Sequence, residues 1–176
     1  DAILWPDLMK LATGTFPEPG NSPDDVALLL YTSGTTALPK GVLHSSNSLM
    51  AEMVSTRIRR IVPGAPSLSP WPAGHIAGVL GILRHAIDGT LSVLMDQWDP
   101  RAAAQLIEKY RIGACSGTPF HINGLLDAAE TDGRDISTVR DLLCGATTVP
   151  PSLIARCNKI GLSTYRSYGS SEHPTI

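Results

Sequence analysis

Residues 31–44 read Tyr31-Thr32-Ser33-Gly34-Thr35-Thr36-Ala37-Leu38-Pro39-Lys40-Gly41-Val42-Leu43-His44, dense in hydroxyls and small residues and closing on a lysine. An apolar run, Val26-Ala27-Leu28-Leu29-Leu30-Tyr31, enters this stretch with the length and continuity of a buried strand. Beyond it, Leu49, Met50, Met53, Val54, Arg57, Ile58 and Ile61 recur at helical spacing. A Ser/Thr/Gly loop between a strand and a helix presents free backbone N–H groups, which is the local chemistry of a phosphate cradle, and Lys40 adds a mobile positive charge. The same residue types crowd into ordinary turns, so composition alone leaves a plain loop open. The order excludes the Walker pattern, which needs Gly-Lys-Ser/Thr at the helix start, because here Gly41 and Val42 follow Lys40.

Outward from the loop, the 176 residues are 43% hydrophobic with a net charge of −2, which excludes a disordered chain and a basic nucleic-acid binder. A chain of this length can bury roughly 70% of its unfolded surface. No apolar run approaches the ~20 residues of a membrane span, and no signal peptide opens the sequence. Cys115, Cys144 and Cys157 are odd in number and lack Cys-x-x-Cys spacing, so a reducing compartment, no structural zinc and three core cysteines are expected. The first residue is Asp1 and the last is Ile176, two after Pro174, which suggests a piece of a longer protein.

From Pro63-Gly64-Ala65-Pro66 onward a regular alternation begins. A weak strand is expected at 67–71 and further strands at 91–95, 112–116, 139–144 and 162–168, separated by helices. Asp99-Pro100 and Thr118-Pro119 are cap-then-proline starts, Pro150-Pro151 opens a third helix, and Gly161 ends it. Alternation with short links predicts an α/β fold, three layers with a mainly parallel sheet covered on both faces. Ligands in such sheets sit outside the carboxyl ends of the strands, so the loops at 32–41, 72–78, 117–120, 145–150 and 169–172 are where chemistry is expected.

Three of those loops and a fourth segment carry a resemblance. Tyr31 to Val42 matches Tyr-Thr-Ser-Gly-Thr-Thr-Gly-x-Pro-Lys-Gly-Val everywhere except Ala37, and this sequence is similar to the phosphate loop of the adenylate-forming acid–thiol ligases, a superfamily that includes acyl-CoA synthetases. Pro72-Ala73-Gly74-His75-Ile76-Ala77-Gly78 resembles the family's Pro-x-x-His-x-x-Gly, and Tyr168-Gly169-Ser170-Ser171-Glu172 its Tyr-Gly-x-Thr-Glu. Gly145-Ala146-Thr147 falls where the family has a small-residue segment. Taken alone, His75 is a polar helix cap, Gly145 to Thr147 a turn after a strand, and residues 168–172 a hairpin-like turn. The likeness runs from about Asp24 to Glu172, and the wording between motifs looks most like bacterial fatty-acid or cyclohexanecarboxylate CoA ligases.

The resemblance implies a central fragment of the large domain of such a ligase, in two parts: 1–62, with the phosphate loop, and 63–176, with the alternating strands and helices. It implies activation of a carboxylic acid, fatty or alicyclic, by ATP with Mg²⁺ and its transfer to coenzyme A in the cytoplasm, without nucleic acid or membrane partners. By the same resemblance Thr32, Ser33, Gly34, Thr35, Thr36 and Lys40 hold the β- and γ-phosphates. Gly145, Ala146 and Thr147 lie along the adenine and acyl group, Tyr168 and Gly169 border the adenine, Ser171 reaches the α-phosphate, and Glu172 holds Mg²⁺. His75 lines the acyl side. Lys40, His75 and Glu172 are thus the candidate catalytic residues. Ala37 departs from the family glycine at a cost of roughly 1 kcal/mol if the position needs positive φ. The family's ribose-binding Asp, its hinge and the lysine of its mobile C-terminal domain lie beyond Ile176, so the isolated chain is expected to be inactive. Two rivals remain at this point, a phosphotransferase and a non-catalytic nucleotide-binding relic or scaffold.

Overall fold

The computed structural model describes residues 10, 20–33, 38–57 and 64–175. In chain order the elements are β1 (Val26–Thr32), β2 (Lys40–Ser45), α1 (Ser46–Arg57), β3 (Ser67–Ser69), α2 (Ile76–Asp88), β4 (Ser92–Leu94), α3 (Pro100–Tyr110), β5 (Ala114–Gly117), α4 (Pro119–Asp132), β6 (Asp141–Cys144), α5 (Pro151–Lys159) and β7 (Thr164–Arg166).

The start of the chain corrects the expected order of strand, loop and helix. β1 and β2 form an antiparallel hairpin, paired from Leu28 opposite His44 to Thr32 opposite Lys40, and the helix begins only at Ser46. The hydroxyl-rich stretch is therefore the link between two strands. Gly41-Val42-Leu43-His44 continues as β2 because its side chains alternate between faces, a period that suits a strand. The expectation of a buried β1 is also overturned: Leu30 is buried, whereas Val26, Leu29 and Tyr31 are exposed. A two-stranded hairpin turns one face to its neighbours, so alternate residues face out.

From β3 onward the expected alternation holds. The second sheet has the order β4-β3-β5-β6-β7, and all four pairings are parallel. Its strands are three or four residues long, shorter than the apolar runs suggest. The helix starts are those read from the sequence. Asp99 Oδ1 accepts from the backbone N–H of Arg101 at 2.8 Å and Ala102 at 3.1 Å, with Pro100 in the first turn. Thr118 precedes Pro119, and its backbone N–H donates to His121 Nδ1 at 3.1 Å. Gly89 and Gly133 close α2 and α4 in the left-handed conformation.

The parallel sheet has two unlike faces. Leu68, Cys115, Leu142 and Cys144 point into the main core, which is closed by Ile107 of α3, Ile122 and Leu125 of α4, and Leu153 and Cys157 of α5. All three cysteines are buried, as expected of core thiols. Residues on the opposite face alternate with these: Ser67 and Ser69 of β3, Ser116 of β5, Asp141 of β6 and Tyr165 of β7 border a large cavity. α2 covers that side, because Ser67 Oγ lies 2.6 Å from His85 Nε2. A second core, made of Leu30, Leu49, Met53, Ile76 and Leu80, seats the hairpin and α1 against α2.

Candidate active site

The cavity of about 670 Å³ opens at the carboxyl ends of the parallel strands, the position that this topology favours for a ligand. Its walls come from α1, β3, α2, β5, β6, β7 and the 167–175 segment. Three of the four motif segments contribute to it or to its mouth.

His75 is both a cap and a wall. It is the N-cap of α2, and its Nδ1 accepts from the Ala77 backbone N–H at 3.1 Å. Its ring stacks on Trp71 with centroids 5.5 Å apart and an interplanar angle of 19°. Trp71 is held in turn by its indole N–H, which donates to Ser116 Oγ at 2.9 Å. The turn before α2 is tight, since a Cβ on Gly78 would stand 2.1 Å from the Pro72 carbonyl oxygen. The motif's glycine is therefore required by backbone approach, with no ligand involved.

The Gly145 segment is tight for a similar reason. A Cβ on Gly145 would stand 2.8 Å from the Ser167 carbonyl oxygen, so its smallness lets the ends of β6 and β7 close on each other. Ala146 has a φ of 63°, a left-handed conformation that costs a non-glycine residue about 1 kcal/mol or more. Gly145 and Ala146 border the cavity, whereas Thr147 is exposed and outside its lining.

Residues 169–174 fold back on themselves. The Ser170 N–H donates to the His173 carbonyl at 2.8 Å, the His173 N–H donates to Ser170 Oγ at 3.2 Å, and a Cβ on Gly169 would collide with the Pro174 carbonyl at 1.9 Å. Gly169, Ser170 and Ser171 line the cavity. Glu172 is exposed beside them, and its carboxyl is held below the ordinary glutamate range by its own backbone N–H, then by the Ser170 side chain, with smaller contributions from Lys40 and His44. Tyr168 points to solvent, 72% exposed.

Lys40, far away in sequence, is among the groups that lower the Glu172 carboxyl. The connection between their segments is His44, which the sequence reading quoted without giving it a role. It is buried on β2, and its Nε2–H donates to the Ser171 carbonyl at 2.7 Å, while Ser48 Oγ lies 3.4 Å from its Nδ1. A histidine at a core-facing strand position was the available signal, since such a group needs a partner. Glu52, Arg84 and His85, which also line the cavity, belong to no motif and went unread. Thr32 ends β1 opposite Lys40 in register, and Ser33 follows it outside the strand. Gly34, Thr35, Thr36 and Ala37 lie outside the described residues.

The chain matches the family model for AMP-binding enzymes over residues 5–176. It is 36% identical over 152 residues to the medium-chain fatty-acid–CoA ligase of Escherichia coli, covering 85% of this chain and 27% of that protein. It is 31% identical over 152 residues to a feruloyl-CoA synthase of an Amycolatopsis species, covering 85% of this chain and 31% of that protein. Among solved structures it resembles o-succinylbenzoate coenzyme A synthetase from Bacillus subtilis in complex with ATP and magnesium ion, with a TM-score of 0.77, 28% identity, and 86% of this chain and 31% of that one covered. The chain therefore spans about a third or less of the length of these relatives. With its parallel α/β sheet, its cavity at the strand ends and a family match over nearly its whole length, the chain belongs to the AMP-binding enzyme family.

Proposed function

We propose that the protein containing this chain is an AMP-forming acid–thiol ligase. A carboxylate oxygen of the substrate attacks the α-phosphorus of ATP and the bond to the bridging oxygen breaks, leaving acyl-adenylate and pyrophosphate. The thiol of coenzyme A then loses its proton, its sulfur attacks the acyl carbon, and AMP departs. The observation that carries this reading is the hydrogen bond from His44, on the strand that begins with Lys40, to the Ser171 carbonyl next to Glu172, beside the cavity whose wall holds His75. It is supported by relatives that are named as a CoA ligase and a CoA synthase.

Lys40, with Thr32, Ser33 and the loop between them, holds the β- and γ-phosphates, so that negative charge arriving on the departing pyrophosphate meets a positive partner already in place. Glu172 fits the part of a magnesium ligand: its carboxyl stays ionised below the ordinary range, it is exposed, and a hard cation is satisfied by one carboxylate with phosphate and water oxygens. Magnesium bound there would neutralise phosphate charge. Ser171 supplies a hydroxyl toward the α-phosphate, and His44 fixes the backbone of that residue. Gly145 and Ala146 border the acyl-adenylate, with Thr147 and Tyr168 flanking the adenine at the rim. His75 and Trp71 stand between the acyl cavity and the side from which the thiol enters. The acid is fatty or alicyclic, the setting is the cytoplasm, and 1–62 and 63–176 are two subdomains of a larger domain. Alone, the chain turns nothing over.

The test is carboxylate-dependent ATP–pyrophosphate exchange by the full-length protein across a panel of acids. Exchange with AMP and acyl-CoA formation is expected, and Lys40→Ala should depress exchange by on the order of a hundredfold, the scale of one transition-state charge contact. Release of inorganic phosphate without pyrophosphate would replace this reading with a phosphotransferase. Exchange at the wild-type rate in Lys40→Ala would remove that residue from the mechanism.

A further inference from the structure

The wall that β3 and β5 turn to the cavity is a row of hydroxyls, and two of them keep hydrogens that no described protein group takes. The register sets Ser67 opposite Ala114 and Leu68 opposite Cys115, so Ser69 comes beside Ser116, roughly 5 Å away, on the face opposite the main core. Both line the cavity. Ser116 is only partly buried although it lies on the central strand of the five, so the surface it keeps opens into the cavity.

Trp71 engages both serine oxygens as acceptors. Its backbone N–H donates to Ser69 Oγ at 3.4 Å, and its indole N–H donates to Ser116 Oγ at 2.9 Å. Neither serine hydroxyl donates to a described residue. Ser67, two residues earlier on β3, differs in that its Oγ is paired with His85 Nε2 at 2.6 Å. A hydroxyl has one hydrogen and two lone pairs, so Ser69 and Ser116 each still have a hydrogen to give. Polar groups on a cavity wall orient what fills the cavity, and what this pair calls for is an acceptor.

We infer that the acid accepted by this cavity carries a carbonyl oxygen a few carbons from its carboxyl group, and that the Ser69 and Ser116 hydroxyls donate to it. The carboxyl group itself lies elsewhere. In the ligase reading, on which this inference rests, it reacts at the α-phosphate beside Ser171, just after β7. The strand order β4-β3-β5-β6-β7 sets β5 two spacings and β3 three spacings from β7, roughly 10 and 14 Å, so the two serines meet the acyl skeleton. A ketone oxygen only accepts and has two lone pairs, so it takes both hydrogens and brings no donor of its own. The rest of the skeleton passes Ile76 and Leu80 of α2, which suit hydrocarbon. The substrate class is therefore an oxo-substituted fatty or alicyclic acid, whereas the ligase reading by itself requires only a carboxylate.

A site built to hydrogen-bond a substrate oxygen discriminates against the analogue that lacks it, because the protein donors are then left unpaired. The experiment measures ATP–pyrophosphate exchange by the full-length protein on two matched pairs: octanoate against its γ-keto analogue, and cyclohexanecarboxylate against the analogue with a ketone across the ring. In one pair or both the keto acid should be favoured in kcat/KM by about tenfold or more. Ser116→Ala should remove most of that preference, and Ser116→Thr, which keeps the hydroxyl, should retain it. Because Ser116 also anchors the Trp71 indole, Ser69→Ala serves as the second variant: it leaves that anchor in place and should lower the same ratio. No preference for either keto acid in the wild type, or a ratio unchanged in both alanine variants, would overturn the inference and leave the ligase reading intact. An equal loss on keto and plain acids would do the same, since it would make the serines props for Trp71 or partners of the carboxylate. Absence of exchange with every acid would overturn both.

Discussion

Glu172 and the cysteines show how position sets what a side chain can do. Glu172 lies exposed among donors and cations, and its depressed pKa means that the ionised form persists as pH falls. Any contribution of its charge to the fold is present above the unfolded glutamate range and is lost only as pH drops through the lower folded value. The thiols are pushed the other way. Burial raises Cys115 to about 12 and Cys144 to about 11, so both are neutral thiols at pH 8, although Cys115 borders the cavity. Iodoacetamide at that pH should leave the peptides carrying Cys115 and Cys144 unmodified in the native protein and label them after denaturation, as peptide mass mapping would show. Labelling of native Cys115 at the rate of a free thiol would contradict its burial.

The helices and the parallel strands were the most legible part of the sequence. Asp99-Pro100 and Thr118-Pro119 act locally, through hydrogen-bond partners within three residues of the cap, so the sequence contains all the information they need. The hairpin was misread because a run such as Val26 to Tyr31 has the same apolar content whether one or both faces are covered, and coverage is a tertiary property. The cavity wall formed by Glu52, Arg84 and His85 was invisible for the same reason. Glycines within one helix separate the two kinds of information. Gly78→Ala should destabilise by about 1–3 kcal/mol, because the new Cβ meets the Pro72 carbonyl and must push the His75 turn aside. Gly81→Ala, whose Cβ would come no nearer than 3.9 Å to Ser69 Oγ, should be neutral or stabilising by up to about 1 kcal/mol. Thermal melts of the two variants would check this, and equal shifts would show that helix propensity alone governs α2.

At the scale of the whole molecule, the hairpin and the parallel sheet are separate hydrogen-bonded units, joined by α2 packing and by the His44 contact to Ser171. That junction ties β2, which begins with Lys40, to the segment that carries Glu172. Convergence of the two residues on one triphosphate is the central claim, and it can be measured as a coupling energy. Mg·ATP would be titrated calorimetrically into the full-length protein and its Lys40→Ala, Glu172→Gln and doubly substituted forms. If both side chains act on the same phosphates, the losses will be non-additive by on the order of 1 kcal/mol. Losses that simply sum, or wild-type affinity in all three variants, would contradict the claim.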